Sequence, residues 1–256
     1  MIYSNKWIVI TWMTLGLFLS QGGLTSVALG TTTNRIIESR DMSEISQVRK
    51  VLRTACAQIK RAVAKPEDAD NLLFDAETEI RRALGKWNSF KNGYAAVAPS
   101  DYAKHPNWNT AAEEIEKSIL QMAQSAKNKD AKKALARCGQ TCQKFVDMNK
   151  MAGIELTTDI LFQFRKTAKS LMTTIREKDS GAIKPAAQTL LALKIRSMDH
   201  PVGGTGISVP KSDALTRFAT SVDTFTVSID KGTSVEIEAQ YLTMMSLMET
   251  AYDQYL

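Results

Sequence analysis

The sequence predicts an all-α chain made of two successive sets of four helices. Three observations carry this. Apolar residues recur at steps of three and four along most of the chain beyond residue 42. Only six prolines occur in 256 residues, and they fall where helices would end or begin. The helical pattern comes as four and then four again, and in each set the longest loop joins the second helix to the third. An apolar content of 44 % with 23 % charged residues is that of a globular chain. Its length is too great for one four-helix bundle and suits two.

The first helix is expected after Ser43, which can cap it. Its face is Ile45, Val48, Leu52, Cys56, Ile59 and Val63, and Pro66 marks its end. The second is expected from about Glu67 to Ala96, with Leu73, Ile80, Leu84, Trp87 and Tyr94 near one face. Residues Pro99 to Asn109 read as a loop. The third helix carries Ile115, Ile119 and Met122. After a polar turn at Lys127 to Asp130, the fourth carries Leu135, Cys138, Cys142 and Phe145 and stops before Gly153.

In the second set, Thr158 is expected to cap a helix with Leu161, Phe164, Ala168, Leu171 and Ile175. Gly181 reads as a turn, with Pro185 in the first turn of the helix that follows and reaches Met198. Asp199 to Pro210 reads as a flexible loop. Its Gly203, Gly204 and Gly206 have no preceding strand and no following Lys-Ser/Thr, so they do not form a phosphate loop. The seventh helix carries Leu215, Phe218, Val222, Phe225 and Ile229. The last carries Ile237, Tyr241, Met244, Met248 and Tyr252. The sets overlay weakly. Arg53-Thr54-Ala55 matches Lys166-Thr167-Ala168 at an offset of 113, and Cys142, Phe145, Val146 and Asp147 match Met248, Ala251, Tyr252 and Asp253 at an offset of 106. An internal duplication is the expectation.

Residues 1–30 differ from the rest. Lys6 is their single charge, Trp7 to Ser20 is an uncharged apolar run, and small residues follow at Ser26, Ala28 and Gly30. This is the layout of a cleaved signal peptide. The apolar run of 14 residues is short of the roughly 20 that span a bilayer. The expected product is therefore exported, to the periplasm or an equivalent compartment, and free of the membrane after cleavage. The expected divisions are 1–30, then a leader with the first bundle at 31–152, then the second bundle at 153–256. The net charge of +6 falls to +5 without Lys6. No basic tract carries interleaved aromatics, so nucleic acid is not an expected partner.

The stretch from Leu135 to Lys150 reads LARCGQTCQKFVDMNK. It resembles the last helix of cytochrome c′-type four-helix bundles, which carries Cys-x-x-Cys-His and holds a haem. Cys142 stands at the first thiol, Phe145 and Val146 stand at the second thiol and the iron ligand, and Asp147 follows. The resemblance implies two tandem antiparallel four-helix bundles, and it covers both halves in helix order. A c-type haem needs two thiols and a His. Neither Cys142, Phe145 and Val146 nor Met248, Ala251 and Tyr252 supply them. Both histidines, His105 and His200, precede prolines in loops. No cofactor is expected, and the family's haem-linked redox and gas-binding roles do not carry over. Phe145, Phe218, Phe225, Tyr241, Tyr252 and the methionines are expected to fill the haem volume.

Cys56, Cys138 and Cys142 all fall on apolar stripes of the first half, and antiparallel first and last helices bring them level. Three readings stay open: buried free thiols, a disulfide from Cys56 to Cys138 or Cys142, and a Cu(I) or Zn(II) thiolate site assisted by Met148. No Walker loop, His-Glu-x-x-His, Gly-x-Ser-x-Gly or Glu-x-x-His pair occurs, and Glu113 and Glu114 are adjacent and so diverge on a helix. The expectation is a non-enzymatic accessory or structural protein that binds protein partners, a second copy of itself included. The resemblance suggests a setting in a large respiratory assembly such as a nitrite oxidoreductase. The alternative is a thiol-based copper- or zinc-binding protein.

Overall fold

Eight α-helices make up nearly all of the computed structural model, which describes residues 40–199 and 201–256. They are α1 (Arg40–Ala64), α2 (Ala69–Gly93), α3 (Trp108–Lys127), α4 (Ala131–Ala152), α5 (Thr157–Arg176), α6 (Ser180–Met198), α7 (Asp213–Lys231) and α8 (Ser234–Tyr255). Among the described residues there is no β-strand, only an isolated bridge between Val202 and Ser208. None of these helices is long and apolar enough to cross a membrane. The expected signal peptide lies outside the described residues.

The ends are set by local chemistry. Asp130 accepts from the Lys133 amide at 2.9 Å and caps α4. Gly153, at φ +77°, takes the left-handed conformation that closes α4, and its amide donates to the Lys150 carbonyl. Ser212 caps α7 through the Leu215 amide. Thr233 and Glu236 form a reciprocal capping box on α8.

Four helix starts differ from the sequence pattern. The first helix begins at Arg40, because Asp41 and Met42 are buried and extend its packed face. A single 3-10 turn, Pro66–Asp68, separates α1 from α2. Thr158 lies inside α5 rather than capping it, fully buried, with Leu156 in the cap position. Gly181 and Pro185 both fall within α6. Pro185 is the sixth residue of α6, in its second turn, and having no amide it removes one donor from the helix there.

Packing follows chain order. α1 packs on α2, α2 on α3, α3 on α4, and α4 returns to α1; α5, α6, α7 and α8 repeat the circuit, with α8 returning to α5. The first core is aromatic. Trp87, Phe90, Tyr102, Trp108 and Phe145 gather in it, and the Trp87 indole donates to the Ala112 carbonyl at 3.0 Å. The second core holds Phe164 edge-on to Phe218, with ring centroids 4.8 Å apart, and Phe225 near Tyr241.

The loop before α7 is tied down. The Thr157 amide donates to the Val202 carbonyl, and the Val202 amide donates to the Thr157 hydroxyl. Gly204 brings this loop against the last residue: a Cβ there would lie 2.2 Å from the Leu256 carbonyl oxygen and 2.6 Å from Ser46 Oγ. Its glycine is required by that approach, which sequence pattern does not reveal.

Candidate functional site

The α4 and α8 positions singled out in the sequence pack near where the two sets of helices meet. Phe145, only 1 % exposed, points into the first core, edge-on to Trp87 with centroids 5.4 Å apart. Val146, the next residue, turns the other way and packs in the second core. Cys142 is partly buried against that second core. In α8, Met248 and Ala251 are fully buried and Tyr252 nearly so. Phe145, Val146, Met248, Ala251 and Tyr252 are thus packed core side chains.

Arginines line the seam between them. Arg49 of α1 lies over the Phe145 ring at 5.9 Å. Arg53 and Arg165 both stack on Tyr252, at 5.3 and 5.2 Å from its centroid. Arg49 donates to Asp159 of α5 at 2.7 Å, and both side chains are buried. The other Asp159 oxygen accepts from Asn149 at 2.7 Å, and Asn149 accepts from the Tyr102 hydroxyl at 2.6 Å. Burial works against the Arg49 charge, but Asp159, Tyr252 and Cys142 outweigh it, so its pKa stands above the ordinary value. Arg53 bonds Glu249 and Asp253, and Arg165 bonds the same Glu249 at 2.8 Å.

The seam also orders the helices. Cys56 meets Cys138, and seven residues back along α1 Arg49 meets Phe145, seven residues forward along α4. The two helices therefore run antiparallel. Arg49 meets Asp159, and further along both helices Arg53 and Arg165 share one ring and one carboxylate, so α1 and α5 lie side by side in the same direction. One pair of contacts across the seam falls at positions that the sequence overlay matches. Arg53 of α1 bonds Glu249 of α8; at the overlaid positions, Lys166 of α5 bonds Gln143 of α4 at 2.8 Å.

A disulfide joins Cys56 to Cys138, with Cα atoms 5.9 Å apart, and Cys142 keeps a free thiol. The Cys138 sulfur also touches the Met122 sulfur at 3.4 Å. With two of the three sulfurs bonded to each other, the trio does not converge as thiolate ligands here. Burial pushes the Cys142 thiol up, and the opposing pull of Arg49, Arg165 and Arg53 is smaller. Met148 is buried in the first core. Among the described residues, no group of three or more His, Cys, Asp or Glu side chains is placed to hold a metal ion.

Sequence pattern missed Arg49, Asn149 and Asp159, because charged residues on these helices read as a solvated face. A signal was present. Arg49 lies four residues after Ile45 and three before Leu52, on the apolar stripe, and Asn149 lies four after Phe145. A polar residue on such a stripe needs a buried partner. Compared with known protein families, curated proteins and solved structures, the chain matches none.

Proposed function

We propose that the protein is a tandem pair of antiparallel four-helix bundles of the cytochrome c′ type, arisen by internal duplication, that holds no haem and acts as a non-catalytic binding protein. The observation that carries this reading is the filling of the haem positions. Phe145 is locked between Trp87 and Arg49, and Tyr252 between Arg53 and Arg165. These side chains occupy volume that a macrocycle would need, and they are held by their own partners. The paired contacts Arg53–Glu249 and Lys166–Gln143 support the duplication.

In this reading the chain is exported and works as an accessory or assembly subunit of a larger complex, with a respiratory oxidoreductase, such as a nitrite oxidoreductase, as its setting. The Cys56–Cys138 disulfide suits an oxidising compartment. Affinity isolation of the untagged protein from its native source, followed by mass spectrometry, tests the reading. Stoichiometric recovery of other subunits, or of a second copy, is expected. A clean monomer without partners contradicts it.

A further inference from the structure

Three helix segments contain no acidic residue at all: Ile45–Ala64 of α1, Ala131–Val146 of α4 and Ile160–Arg176 of α5. Together they carry thirteen Lys and Arg. Five of these are met by carboxylates. Arg49 pairs with Asp159, Arg53 with Glu249 and Asp253, Arg165 with Glu249, Arg176 with Glu238, and Lys144 with Glu114.

Three of the rest, Lys60, Lys166 and Lys169, line the outer rim of the seam. Lys60 is seven residues beyond Arg53 on α1, and Lys169 is four beyond Arg165 on α5, so both continue the stripes that meet on Tyr252. Lys166 of α5 donates to Gln143 of α4 at 2.8 Å. Among the described residues, Lys60, Lys166 and Lys169 have no carboxylate within salt-bridge distance. The Lys169 ammonium is held below its ordinary value by burial first, then by Arg165 and Lys60, with Glu249 pulling the other way.

We propose that Lys60, Lys166 and Lys169 form a docking strip for an acidic protein surface. This rests on the reading that the chain binds other proteins, and it supplies the partner's chemistry. Like charges held together by the fold repel one another, and carboxylates arriving from a partner offset that repulsion. Membranes and nucleic acids fit less well. None of the large exposed apolar side chains (Phe74, Val97, Leu120, Met151, Ile195, Val227, Val235, Leu242) lies on the three segments. The strip therefore has nothing to insert into a lipid interface and no aromatic platform on which bases would stack.

The test uses the full chain and poly-L-glutamate as the acidic probe, with binding read by fluorescence anisotropy across a salt series. The double reversal Lys60→Glu/Lys169→Glu is expected to weaken binding by about tenfold or more, and affinity is expected to fall as salt rises. A control reversal of equal charge outside the strip, Lys184→Glu/Lys231→Glu, is expected to change it by less than about twofold. The milder Lys60→Gln/Lys169→Gln must weaken binding in the same direction, which separates docking from misfolding. Equal weakening by both reversals overturns the proposal, as does tighter binding to phosphatidylserine vesicles or to duplex DNA than to poly-L-glutamate. If native partners are recovered and the double reversal leaves that complex intact, the strip is wrong while the binding role stands. If no partner is recovered, the binding role itself fails.

Discussion

Replacing Phe145 by alanine probes the seam at its most packed point. The side chain is 1 % exposed, meets Trp87 edge-on at 5.4 Å between centroids, and supports the Arg49 guanidinium on its face. Truncating a buried Phe to Ala costs about 3–5 kcal/mol, the lost transfer energy plus the cavity left behind. The aromatic pair adds about 0.5–1.5 kcal/mol beyond area. Arg49 cannot follow the receding surface, because Asp159 anchors it at 2.7 Å. Little relaxation is therefore available, and the upper part of the range, about 4–5 kcal/mol, is expected. For a chain of this length that corresponds to a drop in melting temperature of about 8–20 °C. Urea unfolding followed by circular dichroism measures it, with Val97→Ala, at a 75 % exposed position, as the control. A loss below about 1 kcal/mol for Phe145→Ala, comparable with the control, would mean an open, unfilled site and refute the reasoning.

Arg49→Met leaves Asp159 buried without its charge partner and should cost about 3–5 kcal/mol, whereas Arg49→Met/Asp159→Asn should cost clearly less than the two single changes together; a double-mutant cycle in urea decides it. Gly204→Ala should destabilise strongly, because its Cβ would meet the Leu256 carbonyl at 2.2 Å, while Gly85→Ala, with nothing within 4 Å, should stabilise α2 by about 0.5–1 kcal/mol; opposite shifts in melting temperature are expected. Cys142 should react with iodoacetamide at pH 8 at least about tenfold more slowly in the native protein than after unfolding, since burial raises its pKa; mass spectrometry of quenched samples reads this. His105 is buried and burial lowers its pKa from 6.5, so the unfolded chain takes up its proton first; stability should fall as pH drops below about 6.5, and His105→Gln should flatten that slope.

Seven of the eight described helices were legible in the spacing of apolar residues, because each buries one stripe, whereas α6 was placed from Gly181, Pro185 and Met198 alone. Ile45, Val48, Leu52 and Ile59 are all in the first core, as their steps of three and four imply. Boundaries were less legible where tertiary packing overrides local chemistry: Thr158, a good capping residue by type, is buried within α5 instead. The candidate site was half legible. Cys142, Phe145, Val146, Met248, Ala251 and Tyr252 could be singled out in the sequence, and so could a disulfide from Cys56. The choice of Cys138 over Cys142 could not, since both share one stripe. It follows from rotation about α4, which turns Cys142 toward the second core. Arg49, Asn149 and Asp159 were hidden because a charge on a stripe has meaning only once its partner, 110 residues away for Arg49, is known.

The central claim is that the haem positions are occupied by packed core. Rebuilding the motif with Phe145→Cys/Val146→His, in a host with haem-attachment machinery, tests it most directly, read by the Soret absorbance of the purified protein and its unfolding curve. The account predicts no covalent haem and a marked loss of stability, because an imidazole would enter the second core in place of Val146 and a thiol would leave a void beside Trp87. A double variant that attaches haem in stoichiometric amount and unfolds cooperatively at the wild-type midpoint would contradict it.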